Sequence, residues 1–267
     1  MKALPIYLAV VVLWAASLTA EEVKERLTQD FREQFDPSQF ELVGGDAPTR
    51  YCRPGKDGVL LSIPAADERV SFCGLQLRSV VRGDFEITAS YRILNLPRVA
   101  KGHGAGLKIS IKDAAQEAAS LQRIRTKGGQ IYSAHRAVVK ADGGLDHSSE
   151  TRPTRAMSGK LRLVRTGPTL RYLVQEGEAD EFTELRRVEF GDRDVVQTYF
   201  AAQTGGSGTE VEVALTGIEV AAAELRPLHE RKTSTASRWP IIAFLALAVG
   251  GTAAALFVAK ARRSRSA

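Results

Sequence analysis

The chain has 267 residues, with 37 Lys and Arg against 31 Asp and Glu, a formal net charge of +6. The excess sits at the ends: Lys2 lies in an N-terminal apolar leader, and Lys260, Arg262, Arg263 and Arg265 follow a C-terminal apolar run, with no Asp or Glu in either segment. Setting those five aside leaves 32 cations against 31 anions, a net +1, and so weak a field excludes nucleic acid as a partner.

Residues 1–20 combine Lys2, an apolar run from Ile6 to Ala16 and small residues at Ser17 and Ala20, the layout of a secretory signal peptide. An uncleaved membrane helix is the alternative, which the shortness of the run disfavours. In residues 21–34, Val23, Leu27 and Phe31 recur every four positions among charges, which predicts a short helix. A domain over residues 35–225 follows. Phe40 to Val43, Gly58 to Ile63 and Val70 to Leu77 read as its first strands. Cys52 and Cys73 are the only cysteines. Export predicts a disulfide between them, worth about 3 kcal/mol in the chain-entropy model. Two separate buried thiols are the alternative.

From Gly83 to Lys112, Phe85, Ile87, Ala89, Tyr91 and Ile93 alternate with polar residues, and so do Leu107, Ile109 and Ile111. A period of two makes each half a strand with one apolar face, and two such strands need a second sheet to cover them. The link through Pro97 and Gly-His-Gly-Ala-Gly suggests a hairpin. Ser120 to Arg125 and Gln130 to Lys140 form another around Thr126-Lys127-Gly128-Gly129. Ala141 to Met157 is polar and reads as a long surface loop. Gly159 to Arg165 and Thr169 to Gln175 flank Thr166-Gly167-Pro168; Phe182 to Phe190, Val195 to Gln203 and Glu210 to Val220 complete about a dozen strands. This is an all-β sandwich.

Residues 226–238 read as a polar stalk. Residues 239–259, WPIIAFLALAVGGTAAALFVA, carry no charge and are long enough to cross a bilayer as one transmembrane helix. The cations of residues 260–267 place that tail in the cytoplasm and the sandwich outside it, periplasmic or at the cell surface. A removable sorting tail is the alternative; no LPxTG or PEP-type motif precedes the helix, so permanent anchoring is the better reading.

The strings GDFEITASYRI, GHGAGLKISI, SLQRIRT and SGKLRLVRTGPTLRYLVQEG resemble concanavalin-like (laminin G-like) jelly rolls, sandwiches of two antiparallel sheets. The resemblance, over about Phe35 to Leu225, is closest to an uncharacterised family of exported planctomycete-type bacterial proteins. It implies a jelly roll displayed outside the cell.

Jelly-roll glycosidases set two carboxylates at even spacing on a concave strand. Glu176, Glu178 and Asp180 have the spacing but fall in a turn, and Glu210 and Glu212 follow a Gly-rich run on the last strand. No catalytic residue is therefore assigned. Arg123, Tyr132, His135 and Arg136 are the candidate ligand-binding cluster, since stacking and bidentate hydrogen bonds can hold a sugar or an anion. A solvated polar face is the plainer account of them. The histidines lack paired metal ligands. Asp142, Asp146 and Glu150 are the one suggestion of a calcium site, in a spacing that matches no standard loop. Arg82-Gly83-Asp84 reads as an ordinary turn before a strand. The expectation is a membrane-anchored binding module for carbohydrate or another envelope component, non-catalytic. A divergent hydrolase or lyase and a structural subunit of an envelope complex are the other classes.

Overall fold

The alternation at Phe85–Ile93 and Leu107–Ile111 is carried by two strands, but they lie in opposite sheets. The computed structural model describes residues 24–228 except 66 and 68. In chain order its elements are β1 (Glu25–Asp30), β2 (Phe40–Val43), a single helical turn α1 (Pro48–Tyr51), β3 (Cys52–Gly55), β4 (Gly58–Ile63), β5 (Phe72–Leu77), β6 (Ser79–Asn95), β7 (Ala105–Asp113) and β8 (Ala118–Thr126). There follow β9 (Gly129–Val139), β10 (Leu145–Pro153), β11 (Ser158–Thr166), β12 (Thr169–Glu176), β13 (Thr183–Glu189), β14 (Val195–Gln203) and β15 (Val211–Pro227).

All pairings are antiparallel. One sheet, the front, runs β2-β5-β14-β7-β8-β9-β10. The other, the back, runs β13-β12-β11-β6-β15, with β4 and β1 sharing the far edge of β15 and β3 outside β4. The two are joined where β14 meets the start of β6, at Val195 and Val81. Between them Phe85, Ile87 and Tyr91 of β6 meet Leu107, Ile109 and Ile111 of β7 and Phe200 of β14, all buried in one core. Burial of these faces, at about 25 cal/mol per Å² of apolar surface, is the main term holding the sandwich closed.

Several expectations are corrected. Residues 21–34 do not form a helix where they are described: Glu25–Asp30 is β1, paired with Gly217–Ala222. Backbone pairing along the open edge of the long β15 outweighs a helical charge pattern whose apolar edge is weak. Leu27 and Gln29 turn inward at strand spacing, and the Gln29 amide donates to Gln34 O at 2.7 Å. β6 and β7 are not a hairpin, because β14 takes the place beside β7 and β11 and β15 flank β6. Their link crosses between sheets and packs on the β14–β15 loop. A Cβ at Gly102, whose φ is +81°, would lie 2.5 Å from Gly205 O, so only glycine allows that approach. The long loop of residues 141–157 contains β10, an edge strand, and the polar stalk begins later than expected, since β15 runs to Pro227 opposite Ser79.

The two cysteines stand unlinked in this structure. Cys52 of β3 and Cys73 of β5 are buried thiols in contact across the two sheets. Each is a weak donor to a carbonyl, Cys52 to Gly74 O at 3.5 Å and Cys73 to Tyr51 O at 3.6 Å. The neighbouring Cys52 thiol and burial push the Cys73 pKa far up. The signal peptide and the membrane helix fall outside the described residues.

Candidate functional site

Alternation divides the β8–β9 hairpin into two sets that face opposite ways. Arg123, Tyr132 and Arg136 point between the sheets, whereas His135 points outward. Arg123 is fully buried; its Nε and Nη2 donate to Ala156 O at 3.0 and 2.8 Å, and Nη2 also donates to Gln130 Oε1. Tyr132 Oη lies 3.1 Å from Tyr91 Oη of the opposite sheet. Arg136 pairs with Glu117, donates to Ala137 O at 2.8 Å and stands 4.6 Å over the Phe190 ring. These three close the ends of the core, with every charged donor on an acceptor. Of the candidate quartet only His135 reaches a surface that a ligand can touch.

That surface is the outward face of the front sheet. Register puts His135, Ser120, Ser110, Tyr199, Gln76 and Glu41 in one row across β9, β8, β7, β14, β5 and β2. The adjacent row is Ser133, Gln122, Lys108 and Ala201. Ser120 and Ser133 are 7% and 8% exposed, although no described strand crosses this face. They form a floor, and Gln122, His135, Lys108 and Tyr199 stand around them as the walls of a trough.

Gln203 Nε2 donates to Gln122 Oε1 at 2.9 Å, and Gln122 Nε2 donates to Ser120 Oγ at 2.9 Å. Gly106 lies between their strands without a side chain; a Cβ there would sit 2.2 Å from Arg123 O. His135 Nε2 lies 3.2 Å from His147 Nδ1 of β10, with ring centroids 5.2 Å apart. Burial, then the charges of His147, Arg186 and Lys108, push the His135 pKa down to about 4, so its imidazole is neutral near pH 7. Burial pushes Lys108 down to about 8. Among the described residues the Lys108 side-chain amine has no hydrogen-bond or ion-pair partner. Lys108, Gln122, Tyr199 and Gln203 were missed in the sequence, though they stand at the wet positions of strands it identifies.

Such a trough offers hydroxyl, amide and imidazole groups to a polyhydroxylated ligand, and the Tyr199 ring as a surface to stack on. Glu41, at the sheet edge, is its one strand carboxylate. The other acidic candidates lie elsewhere. Glu176 accepts from Thr154 Oγ1 at 2.6 Å; Glu210 accepts from Asn95 and Glu212 from Ser62, at 3.1 and 3.2 Å. Asp142 accepts from Gly144 N–H at 2.8 Å, and among the described residues Asp142, Asp146 and Glu150 do not gather as a metal site. In the Arg-Gly-Asp turn Arg82 is paired with Asp194 and Glu224, and Asp84 accepts from Gly167 N–H at 2.7 Å. An open cavity of about 520 Å³ with a mixed lining lies at the β8–β9 turn, lined by residues that include Arg125, Gln130, Ile131, Pro153 and Arg155.

Two sheets in this arrangement define a jelly roll of the kind found in lectins and glycoside hydrolases. Solved structures similar to it include one described among endo-acting O-glycanases of the human gut microbiota that initiate mucin breakdown, with a TM-score of 0.58 at 10% identity, covering 74% of this chain and 99% of that one. A β-1,3-1,4-glucanase (lichenase) from a mouse hindgut metagenome gives 0.52 at 8% identity, covering 76% and 99%. A legume lectin-like domain from Entamoeba histolytica gives 0.50 at 11%, covering 73% and 96%. At these identities the likeness establishes the fold alone. The chain belongs to the family described as "Protein of unknown function (DUF1583) C domain", whose model matches residues 8–238. No curated protein matches it.

Proposed function

We propose that the chain is a membrane-anchored, extracytoplasmic binding module that takes a carbohydrate in the trough of its front sheet. The observation that carries this reading is the row-by-row pattern of that face. Serine floor, paired glutamine amides, a neutral histidine and a tyrosine ring stand on rigid strands, with one carboxylate at the edge in place of the facing pair that glycoside hydrolysis uses. Residues 1–20 export the domain, residues 239–259 anchor it, and residues 260–267 stay in the cytoplasm; protease applied to intact cells would then remove the sandwich and spare the tail.

The test is a thermal-shift panel of polysaccharides on the full-length protein in detergent. A native-state ligand at a hundredfold excess over its dissociation constant adds about 2.7 kcal/mol, a visible rise in midpoint. The rise is expected with one sugar class, and Tyr199→Ala and Gln122→Ala should reduce it. Flat curves across the panel would overturn the reading in favour of a structural subunit of the envelope. Shortened sugars after incubation would assign turnover instead of binding alone.

A further inference from the structure

We propose that the glycan bound in the trough is acidic, with its carboxylate or sulfate seated on the Lys108 ammonium; this rests on reading the trough as a carbohydrate site. Lys108 lies on β7, the central strand of the front sheet, and its side chain stands on the outward face. Elsewhere, buried cations are answered within the fold: Arg136 meets Glu117, Arg123 donates to Ala156 O at 2.8 Å, and Arg165 donates to Gly83 O at 3.1 Å. Lys108 is an exception. A half-buried ammonium without a counter-charge carries a desolvation cost, and a bound anion supplies what the fold leaves out.

The surroundings fit that anion. Gln122 stands directly opposite Lys108 on β8, and Ala201 lies opposite on β14, where its small side chain leaves room at the amine. Gln122 and Gln203 each spend one amide N–H on a neighbour and keep a second for a ligand oxygen. The charged and titratable groups of this face are Lys112 on β7, His135 on β9, His147 on β10, Tyr199 on β14 and Glu41 on β2. Glu41 is three strands from Lys108, about 14 Å at ordinary strand spacing, so no strand carboxylate competes for the amine.

The experiment measures affinity of the full-length protein in detergent for polygalacturonate, which carries only carboxylates, for dextran sulfate, which carries only sulfates, and for neutral dextran and laminarin. One acidic polymer should bind at least about tenfold tighter than the neutral ones, and Lys108→Gln should cost about tenfold without lowering the melting midpoint. Lys108→Arg should keep the binding. Gln122→Ala, which leaves the lysine in place, should cost about threefold. Which acidic polymer wins tells carboxylate from sulfate. Neutral glycans binding as tightly, with Lys108→Gln silent, would overturn the acidic class and leave the carbohydrate reading standing. An acidic polymer lost equally in Lys160→Gln, on the opposite sheet, would reduce the effect to general charge and overturn it too. No glycan binding at all would sink both.

Discussion

The outward faces of the two sheets solve the same problem in different ways. On the back sheet, the arginines of β6, β11 and β12 are answered by neighbours: Arg162 meets Glu86 and lies 3.9 Å over the Phe182 ring, Arg171 meets Glu184 at 2.6 Å, and Arg92 meets Asp57 at 3.5 Å. On the front sheet the strand positions are filled by Ser, Gln, His and Tyr around Lys108, with Glu41 alone at the edge. A face that neutralises itself is finished as a surface. A face that keeps polar groups on rigid strands, half-buried and with a cation unanswered, carries a desolvation cost that a bound anion would offset.

The sharpest way to break this comparison is to cross the front sheet from one side to the other. Tyr132→Ala empties a fully buried site on its core side and should cost about 3–5 kcal/mol of stability, read by denaturant unfolding. His135→Ala, three positions along the same strand, should leave stability nearly unchanged while weakening glycan binding. If Tyr132→Ala proved harmless to the fold, or His135→Ala unfolded it, the division into core side and ligand side would fail.

Next in size is the tie between the sheets. Cys52 and Cys73 touch as thiols, one in each sheet, and an oxidising compartment would be expected to close them. Mapping of unreduced peptides from exported protein should then find the linked pair, and reduction should lower stability by about 3 kcal/mol. Two unlinked cysteines in exported material would mean that the contact is packing only.

Much of the sandwich was legible because alternation writes it residue by residue. The limits of β2, β4 and β14 fall where the pattern ends, and the β8–β9 and β11–β12 hairpins turn where their glycines stand. What failed was of other kinds. β10 is exposed along nearly its whole length, so it carries no alternation to read. The partners of β6 and β7 are fixed by packing between distant segments, and nothing within Gly83–Lys112 says that β14 will stand beside β7. The site was misread through residue type: Arg, Tyr and His close together in sequence suggested a cluster, while parity sends Tyr132 and Arg136 one way and His135 the other. The same parity would have led to Lys108, Gln122 and Tyr199.

Smaller effects separate the faces by pH. His135 holds a pKa of about 4 in the fold against an ordinary 6.5, so on acidification the unfolded chain takes up this proton first. Stability should therefore fall from pH 6.5 towards 4, and His135→Gln should remove that step. On the back sheet Arg187 and Arg171 hold the Glu184 carboxyl below its ordinary 4.5, giving stability that is present above that value and lost as pH falls further. Melting midpoints should thus decline in two stages owned by different sheets. At the alkaline end Lys108 discharges near 8 in the fold against 10.5 in the unfolded chain, so stability rises through that window while affinity for an acidic glycan fades from about pH 8. Lys108→Arg should carry the affinity past that limit.

The smallest expected change is on the back sheet itself. Arg171 and Glu184 are 41% and 30% exposed at the side chain, so solvent screens their attraction and both chains lose freedom in meeting. Arg171→Gln should shift stability by less than about 1 kcal/mol and leave glycan affinity where it was. The comparison needs this near-silence. Lys108→Gln and Arg171→Gln each remove one positive charge from an outward strand position, and they differ in whether a carboxylate of the same chain already answers it. If both variants weakened binding to polygalacturonate or dextran sulfate alike, the whole domain's field would be attracting the polymer. If only Lys108→Gln does so, the missing counter-charge at the centre of the front sheet is the feature that the ligand reads.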